Sequence, residues 1–322
     1  MTSPTPSSPR IGVVIGDPNG VGPEIAIQAA HALHAHTGMR ALLIGEDYIF
    51  ESVLSLPALQ AARGSFDTLS VGALARSDWR PGTISAAAGA ATVAYVRAAV
   101  DLAQRGQIAA IGAAPHCETA VNDAGIPFSG YSGLIADLTH TPKDRAFLLL
   151  QAQDLRVAHV TLHEGVISAV QRITPALIEE AVAALHITLP RLGLAQPRVC
   201  IVGINPHAGE GGLFGPEDEA ITKPAVQAMR AKGWAVDGPL GADLALSERK
   251  HDAYVAMLHD QGHVAVKMLS PKGATAIVAG VPLLFASVGH GAAFDIAGQG
   301  RADASALTDT LAILARTVRA NA

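Results

Sequence analysis

The stretch IGVVIGDPNGVGPEIAIQAAHALHAH, residues 11–36, decides the fold class because it joins three kinds of sequence in one order. The apolar run over 11–16 predicts a buried strand. A glycine- and proline-rich turn follows it and leads into 22–36, where apolar residues recur at helical spacing. A strand, a tight turn and a helix in this order predict the first half of a βαβ unit.

The same alternation continues along the rest of the chain. Further strand-like runs lie at 41–45, 108–115, 155–163, 198–205, 253–258, 274–280 and 283–289. Helical patterns lie at 87–104, 175–193, 220–233 and 305–320. This order predicts an α/β protein with largely parallel sheets, in which ligands bind beyond the carboxyl ends of the strands. A length of 322 residues favours two domains, and the polar segment 122–133 is the predicted crossing between them.

Composition excludes several classes of partner. The formal net charge is -5 and the chain has no Lys/Arg run, so we expect neither nucleic acid nor an anionic membrane as a partner. The Pro/Ser-rich segment 1–10 lacks the apolar core of a signal peptide and is predicted to be a disordered tail. The two cysteines show no CxxC spacing. We therefore expect a cytoplasmic protein.

Three histidines stand directly after strand-like runs: His163, His207 and His259. One histidine at a strand end is commonly a hydrogen-bonded structural residue, so each alone is ambiguous. Three on separate strands favour a shared site for a borderline divalent ion such as zinc, with a position left open for substrate oxygens. Of the other histidines, His159 alternates within a strand and is predicted to be core, whereas His263 is predicted to lie in a loop.

Acidic residues accompany these histidines. Asp260 follows His259 directly and Asp243 lies in GPLGADLAL, so either can orient a ligand ring or serve as an ordinary turn residue. We expect a further acidic set to cap the helix that begins near residue 220, because acidic side chains favour a helix N-terminus. That set is Glu210, Glu217, Asp218 and Glu219. The turn 16–24 lacks the G-x-G-x-x-G spacing, which argues against a standard dinucleotide-binding turn.

Five motifs in order carry a family resemblance: GDPNGVGPE, NDAGIPFSG, INPHAGEGGLFG, LHDQGHVAVK and GHGAAFDIAGQGRAD. They resemble the 4-hydroxythreonine-4-phosphate dehydrogenase family across nearly the whole chain. The first and last are also similar to loops of isocitrate and isopropylmalate dehydrogenases. The resemblance implies two-lobed α/β/α subunits of that type, with the active site in the interdomain cleft. It implies a cofactor-side domain over 1–127 and 270–322, and a central domain over 128–269 with the metal ligands and dimer interface.

The same resemblance implies the cofactors and the assembly. Members of the family oxidise a secondary alcohol with NAD and a divalent metal, and decarboxylation follows; NADP remains an alternative cofactor and zinc the expected metal. The metal ligands of the family match His163, His207 and His259, and the third comes from the partner subunit of a homodimer. The loop 288–303 resembles the adenine-side loop of the wider fold group. Its expected cofactor contacts are His290, Gly291, Asp295, Ile296 and Gly298.

The substrate positions depart from the phosphate-ester enzymes of the family. Tyr131 and Ser132 replace a His-Thr pair, and Ala276 and Phe285 replace an asparagine and an arginine, whereas the family lysine is kept as Lys267. Loss of these partners removes most of what would hold a phosphate dianion. We expect Tyr131, Ser132, Lys267 and Phe285 to bind the small-molecule substrate. The expected catalytic residues are Lys267, Asp243 and Asp260.

The predicted reaction follows from these departures. The chain is most similar to the dihydrodiol-oxidising branch of the family, which implies oxidation of a carboxylated cyclohexadiene cis-diol (terephthalate dihydrodiol) with loss of CO2 to a catechol acid (protocatechuate). The alternative is oxidation of 4-hydroxythreonine-4-phosphate in pyridoxal phosphate biosynthesis. A non-enzymatic alternative is a metal-dependent protein that binds a sugar acid or a nucleotide.

Overall fold

The computed structural model describes residues 10–271 and 273–320 and divides the chain into two compact units. The first unit ends at Thr139 and resumes at Leu283, and the second spans His140–Pro282. The boundaries predicted at 127/128 and 269/270 lie upstream of these two points, and the segment 122–133 lies within the first unit. Residues 1–9 of the predicted disordered tail lie outside the described residues.

The first unit alternates strands with helices, as the opening stretch predicts. Its elements before the break are β1 Ile11–Val14, α1 Gly22–Thr37, β2 Leu42–Gly45, α2 Asp47–Leu54, β3 Asp67–Ser70, α3 Ala86–Gln104, β4 Ala110–Ala113, α4 Glu118–Asp123 and α5 Tyr131–Leu138. Those after it are β11 Phe285–Val288 and α11 Ser305–Ala320. The strand order is β3-β2-β1-β4-β11, and the neighbours pair in parallel.

The first unit buries its central strands β1 and β4 on both faces. Every residue of β1 and β4 is buried, which explains their continuous apolar sequence. Burial of a side chain such as Ile111, which is 0% exposed, contributes roughly 1.5–3 kcal/mol. The helix α3 is long and apolar enough to span a membrane by length and composition, but half of that stretch is buried and it packs against α4 and β4.

The second unit carries the predicted metal residues. Its elements are β5 Phe147–Ala152, β6 Leu155–His159, α6 Val166–Arg172, α7 Pro175–Arg191, β7 Val199–Val202, α8 Lys223–Ala231, β8 Val236–Leu240, α9 Ala242–Glu248, β9 Ala253–Ala256, α10 His259–Leu269 and β10 Thr275–Ala279. Their strand order is β10-β5-β6-β9-β7-β8.

The prediction of largely parallel sheets holds for only part of the second unit. Strands β6, β9, β7 and β8 run parallel, whereas β5 is antiparallel to both β6 and β10. The connection from β5 to β6 is only two residues long, and a connection that short permits only an antiparallel hairpin. The apolar pattern did not identify β3, β5 or β8, because β3 alternates with polar residues and β8 contains a Gly-Pro pair.

Candidate active site

The predicted metal histidines follow three neighbouring strands of the second unit. Strands β6, β9 and β7 lie side by side and run parallel, so their carboxyl ends meet at one edge of the sheet. His163 lies in the loop after β6, His259 is the first residue of α10 after β9, and His207 lies in the turn after β7. The sheet order therefore brings the three loops to the same end of the unit.

His163 and His259 face each other across this edge. Their ring centres are 5.4 Å apart. A zinc-bound imidazole has its ring centre about 3 Å from the metal, so two ligands at the tetrahedral angle have ring centres about 5 Å apart. The spacing and the nitrogen donors therefore suit two imidazoles that share one divalent ion.

Asp260 holds one edge of the His259 ring. The Nδ1 atom of His259 lies 2.6 Å from Oδ1 of Asp260. An ionised carboxylate only accepts hydrogen bonds, so Nδ1 carries the ring proton and Nε2 is left free as a ligand atom. The orienting role predicted for Asp260 fits this contact, although the Asp260 side chain is 87% exposed.

His207 lies in a strained turn. Six consecutive residues, 207–212, have positive φ, and three of them are not glycine: His207 at 53°, Ala208 at 53° and Glu210 at 43°. The left-handed conformation costs roughly 1–2 kcal/mol for each L-residue that adopts it. Strain of this kind persists only where the surrounding structure holds it, and it clusters at functional sites.

Two acidic residues hold the strained turn in place. The buried Asp218 carboxylate accepts hydrogen bonds from the backbone N–H groups of Ile204 at 2.8 Å and Asn205 at 2.9 Å. Glu217 accepts one from the Asn205 side-chain amide at 2.8 Å. Glu217 and Asp218 lie at the start of the helical turn Asp218–Thr222, as predicted, but Glu217 makes no side-chain capping hydrogen bond, and both carboxylates reach back to the chain just before His207.

Within the described part of one chain, no third side chain is placed to bind a metal together with His163 and His259. Over 10–271 and 273–320, no group of three His, Cys, Asp or Glu side chains is placed to hold a metal ion. The resemblance assigned His259 to the partner subunit, but His259 and His163 of the same chain are the two that meet. The residue left apart from this pair is His207.

Lys267 shares a cavity with the histidine pair. The cavity has a volume of about 750 Å³, and its walls include His163, His259, His263 and Lys267. Lys267 follows His259 by two helical turns on α10, so the two side chains lie on one face of the helix. The Lys267 ammonium can pair with a substrate carboxylate, and its amine, once deprotonated, can receive an alcohol proton.

Asp243 lies at a neighbouring cavity. It occupies the first turn of α9 and lines a cavity of about 640 Å³, which it shares with Asp260. The structure thus groups His163, His259 and Lys267 at one cavity and Asp243 at the next. Asp260 lines both.

Sequence reasoning missed a pair of histidines behind His259. His159 is buried, as predicted, but His263 lies on α10 and not in a loop. The Nδ1 atom of His263 is 3.1 Å from Nε2 of His159. Burial lowers the pKa of His159 to about 3 and that of His263 to about 4, so both rings are neutral at pH 7. The four-residue spacing from His259 to His263 and from His263 to Lys267 is the sequence feature that could have indicated that these side chains lie together on one helix.

The predicted cofactor loop, 288–303, is fastened to the start of α1. The backbone N–H of Val21 donates to the carbonyl of Ala292 at 2.8 Å, and the N–H of Gly298 donates to the carboxylate of Glu24. Burial raises the pKa of Glu24. The predicted contact residues of this loop are partly or fully exposed: His290, Gly291, Asp295, Ile296 and Gly298.

The turn 16–24 is buried from end to end. The Asn19 side chain accepts a hydrogen bond from the N–H of Arg80 at 2.9 Å and donates one to the carbonyl of Thr83 at 3.0 Å. The segment around residues 80–83 thus lies over the turn. A covered turn offers no open backbone to a phosphate, in agreement with its lack of the dinucleotide-binding spacing.

Two of the predicted substrate residues lie in the core of the first unit. Phe285 is 0% exposed, and Tyr131 is 4% exposed and donates its phenol hydrogen to the carbonyl of Ala114 at 2.9 Å. Their rings meet edge to face at 5.2 Å. Ser132 is half-buried and Lys267 is exposed, so these two are open to direct contact.

His116 extends this aromatic cluster. Its ring centre lies 4.3 Å from that of Tyr131 and 4.8 Å from that of Phe128. Burial lowers the pKa of His116 to about 4, so the ring carries no positive charge at pH 7. The cluster offers aromatic surface and no cation.

Comparison with known protein families gives one match over most of the chain. Residues 14–314 match the family PdxA, described as pyridoxal phosphate biosynthetic protein PdxA. A 1,2-dihydroxy-3,5-cyclohexadiene-1,4-dicarboxylate dehydrogenase from Comamonas sp is 45% identical over 95% of this chain and 96% of its own length. A D-threonate 4-phosphate dehydrogenase from Cupriavidus necator is 40% identical over 94% of this chain and 95% of its own length.

Solved structures show the same relationships. A 4-hydroxythreonine-4-phosphate dehydrogenase from Klebsiella pneumoniae has a TM-score of 0.86 at 34% identity, over 97% of this chain and 98% of that one. A terephthalate 1,2-cis-dihydrodiol dehydrogenase from Burkholderia xenovorans has a TM-score of 0.70 at 40% identity, over 98% and 99%. An isocitrate dehydrogenase from Methylococcus capsulatus, at 15% identity and a TM-score of 0.52 over 97% and 88%, shows a distant likeness in fold alone.

Proposed function

The chain belongs to the PdxA family, and from that premise we propose that it is a dehydrogenase that oxidises the secondary alcohol of a carboxylated cyclohexadiene cis-diol with NAD and a divalent metal. Action as a dehydrogenase on a CH–OH group is common to the named relatives of both substrate types. The choice of a diol over a phosphate ester rests on the residues of this chain.

The observation that carries the choice is the aromatic cluster of the first unit. Tyr131, Phe285, Phe128 and His116 pack edge to face, and His116 is neutral at pH 7. A phosphate dianion needs charged or bidentate donors, which this cluster does not supply. The half-buried rings of His116 and Phe128 leave aromatic surface at the edge of this cluster, which favours a flat carboxylated ring as the substrate.

The second unit provides the groups for the chemistry. His163 and His259 would hold the metal, and Asp260 would keep Nε2 of His259 free for it. A bound divalent ion would polarise the hydroxyl and later the carbonyl oxygen, while NAD would accept the hydride. Lys267 would receive the alcohol proton or pair with the carboxylate. Oxidation β to a carboxylate yields a β-keto acid, which loses CO2 as its C–C bond breaks.

NAD would lie along 288–303, with Asp295 and Ile296 near the adenosine. The two anchors at Val21 and Glu24 support this, because they fix an otherwise exposed loop. We expect Asp295→Ala to raise the KM for NAD at least about tenfold and to leave the KM for substrate within about twofold. An unchanged KM for NAD would place the cofactor elsewhere.

A shared site in a homodimer would complete the metal shell. Large apolar side chains are exposed near His163, His207 and His259 in the sequence. Exposed apolar residues of this kind favour contact with another protein at this end of the second unit. They are Val166, Ile167, Leu213, Phe214, Val264 and Met268. Because His163 and His259 already meet in one chain, we infer that His207 is the ligand supplied by the partner.

Mixing inactive variants tests which histidine crosses the interface. A hybrid of His163→Ala and His207→Ala subunits would contain one intact site, whereas a hybrid of His163→Ala and His259→Ala subunits would contain none. We expect the first mixture to recover roughly a quarter of wild-type activity at full subunit exchange. Recovery of activity by the second mixture instead would mean that His259 is the ligand supplied by the partner.

A substrate panel tests the reaction itself. Formation of NADH and release of CO2 are measured with zinc and three compounds: the cyclohexadiene dicarboxylate cis-diol, 4-hydroxythreonine-4-phosphate and D-threonate 4-phosphate. We expect kcat/KM for the diol to exceed that for either phosphate ester by at least about a hundredfold. Equal or better use of a phosphate ester would support the alternative reaction. Binding without NADH formation from any compound would support the non-enzymatic alternative.

A further inference from the structure

His263 is close to the metal pair but is not placed as a third ligand. Its ring stacks on His259 with centres 3.7 Å apart and planes 12° apart. Two ligands of one tetrahedral ion have ring centres about 5 Å apart, as His163 and His259 have. His263 therefore contacts the face of a ligand ring and supports that ring from behind.

The hydrogen bonds of His159 and His263 fix where their protons lie. Nδ1 of His159 is 3.3 Å from the carbonyl of Leu148, and a carbonyl only accepts, so this nitrogen carries the proton. Nε2 of His159 is left as an acceptor. Nδ1 of His263 lies 3.1 Å from that acceptor and 3.2 Å from the carbonyl of His259, so it donates to both.

The fold makes room for this pair inside the second unit. His159 is 1% exposed and lies against the backbone of α10 at Gly262, where a Cβ atom would come within 2.3 Å of its Nε2. The ring of His263 is thus held by a buried partner on β6. The β6 strand and α10 are packed around a contact that a larger residue at 262 would break.

The two supports of the His259 ring differ in strength. Asp260 is 87% exposed, and an exposed ion pair contributes little because water and salt compete for both groups. His263 covers a ring face and is itself fixed by a hydrogen bond to the buried His159, so it restrains rotation of His259 with less such competition.

We propose that His159 and His263 are positioning residues that hold the ring of His259 in the orientation of a metal ligand. The inference rests on the proposed metal site, and it adds to that site a support from two residues that bind no metal. The support consists of three contacts in sequence. His159 is held on β6, its Nε2 atom accepts a hydrogen bond from His263, and the ring of His263 stacks on His259.

Binding of cobalt and zinc to the purified full chain tests the proposal without any turnover. The dissociation constant is measured by competition with a chelator, and the visible absorption of the cobalt form reports the ligand geometry. We expect His263→Leu to weaken binding by roughly 10–100-fold and to change the cobalt spectrum, as loss of an outer partner of a metal ligand typically does. His263→Phe keeps a flat ring on His259 and should stay within about threefold of wild type.

Substitutions at the buried residue of the pair, His159, provide a matched comparison. His159→Gln retains one acceptor and one donor and should bind metal nearly as the wild type does, whereas His159→Leu should behave as His263→Leu does. Asp260→Ala should weaken binding less than His263→Leu. Thermal unfolding of each apo variant controls for loss of the fold.

The outcomes separate the two levels of inference. Wild-type binding together with unchanged affinity and spectrum in His263→Leu would overturn the positioning role alone. A larger loss in Asp260→Ala than in His263→Leu would also overturn it. Failure of the wild type to bind either metal would overturn the proposed metal site, and the positioning role with it.

Discussion

Two glycine-rich turns in this protein occupy similar places in the chain and do opposite things. The turn 16–24 follows β1 and leads into α1, and the turn 204–215 follows β7 and leads towards α8. The first is buried throughout, whereas much of the second is exposed and part of it is left-handed. Similar composition therefore serves packing in one unit and an exposed, partly left-handed loop in the other.

The glycines of the two turns are required for different reasons. A Cβ atom on Gly22 would lie 1.9 Å from the carbonyl oxygen of Ile15, so that position has no space for a side chain. Gly211 has open space around it but a φ of +67°, which L-residues rarely adopt. The first turn needs glycine for volume and the second needs it for backbone angle.

The largest effect should come from removing the ligand in the strained turn. We expect His207→Gly to weaken zinc binding by at least about a thousandfold, because one of three nitrogen ligands is lost. The same change should stabilise the fold by about 1 kcal/mol, because glycine adopts the left-handed conformation freely. Chelator competition and urea unfolding measure the two quantities. Wild-type zinc affinity in this variant would remove His207 from the site.

Alanine at the two glycines tests the packing difference directly. Gly22→Ala should lower the free energy of unfolding by about 3 kcal/mol, because the new methyl group meets backbone that has no room to shift. Gly211→Ala should cost only about 1 kcal/mol, the price of its backbone angle. Urea unfolding at one pH compares the two variants. Equal losses in the free energy of unfolding would contradict the difference in packing between the two turns.

The smallest effect concerns the buried acid of each turn. Asp17 is 0% exposed, its Oδ2 has no hydrogen-bond partner among the described residues, and burial raises its pKa from 3.8 to about 6. A raised pKa means that stability is fully present below pH 3.8 and is lost as the pH rises through about 6. We expect Asp17→Asn to remove this loss, on the order of 2 kcal/mol at pH 8.

Asp218 is the matched control for that change. Its carboxylate oxygens accept from two backbone N–H groups and from the Thr222 hydroxyl, so both oxygens are used. Asp218→Asn should destabilise the fold by about 1–3 kcal/mol at every pH, because an amide N–H would then face a backbone donor. Thermal melts of both variants at pH 5 and pH 8 would distinguish them. A stabilised Asp218→Asn would contradict the role given to Asp218.

Much of the fold could be predicted from local pattern. The strands β1, β2, β4, β6, β7, β9, β10 and β11 were found because buried strands need continuous apolar residues. The strand β5 was missed although its sequence FLLLQA is equally apolar, and its two-residue connection to β6 sets its antiparallel direction. The family match likewise confirmed what five ordered motifs indicated.

The candidate site divides in the same way. The sequence indicated His163, His207 and His259 because each follows an apolar run, and the structure places them in the segments after β6, β7 and β9; their metal binding stays a prediction. The contact between His263 and His159 joins residues 104 positions apart. No local pattern contains such a contact, and the polar role of Asp218 towards the His207 turn is hidden for the same reason.

The sequence by itself determined the alternation of strands and helices, the family, and the candidate metal-binding residues, because these depend on side-chain chemistry and short-range spacing. Only the tertiary structure decided which histidines meet in one chain, which turn is covered and which is open, and which ring supports His259. Those outcomes depend on strand order and on the space left between packed elements, and both arise from contacts between distant parts of the chain.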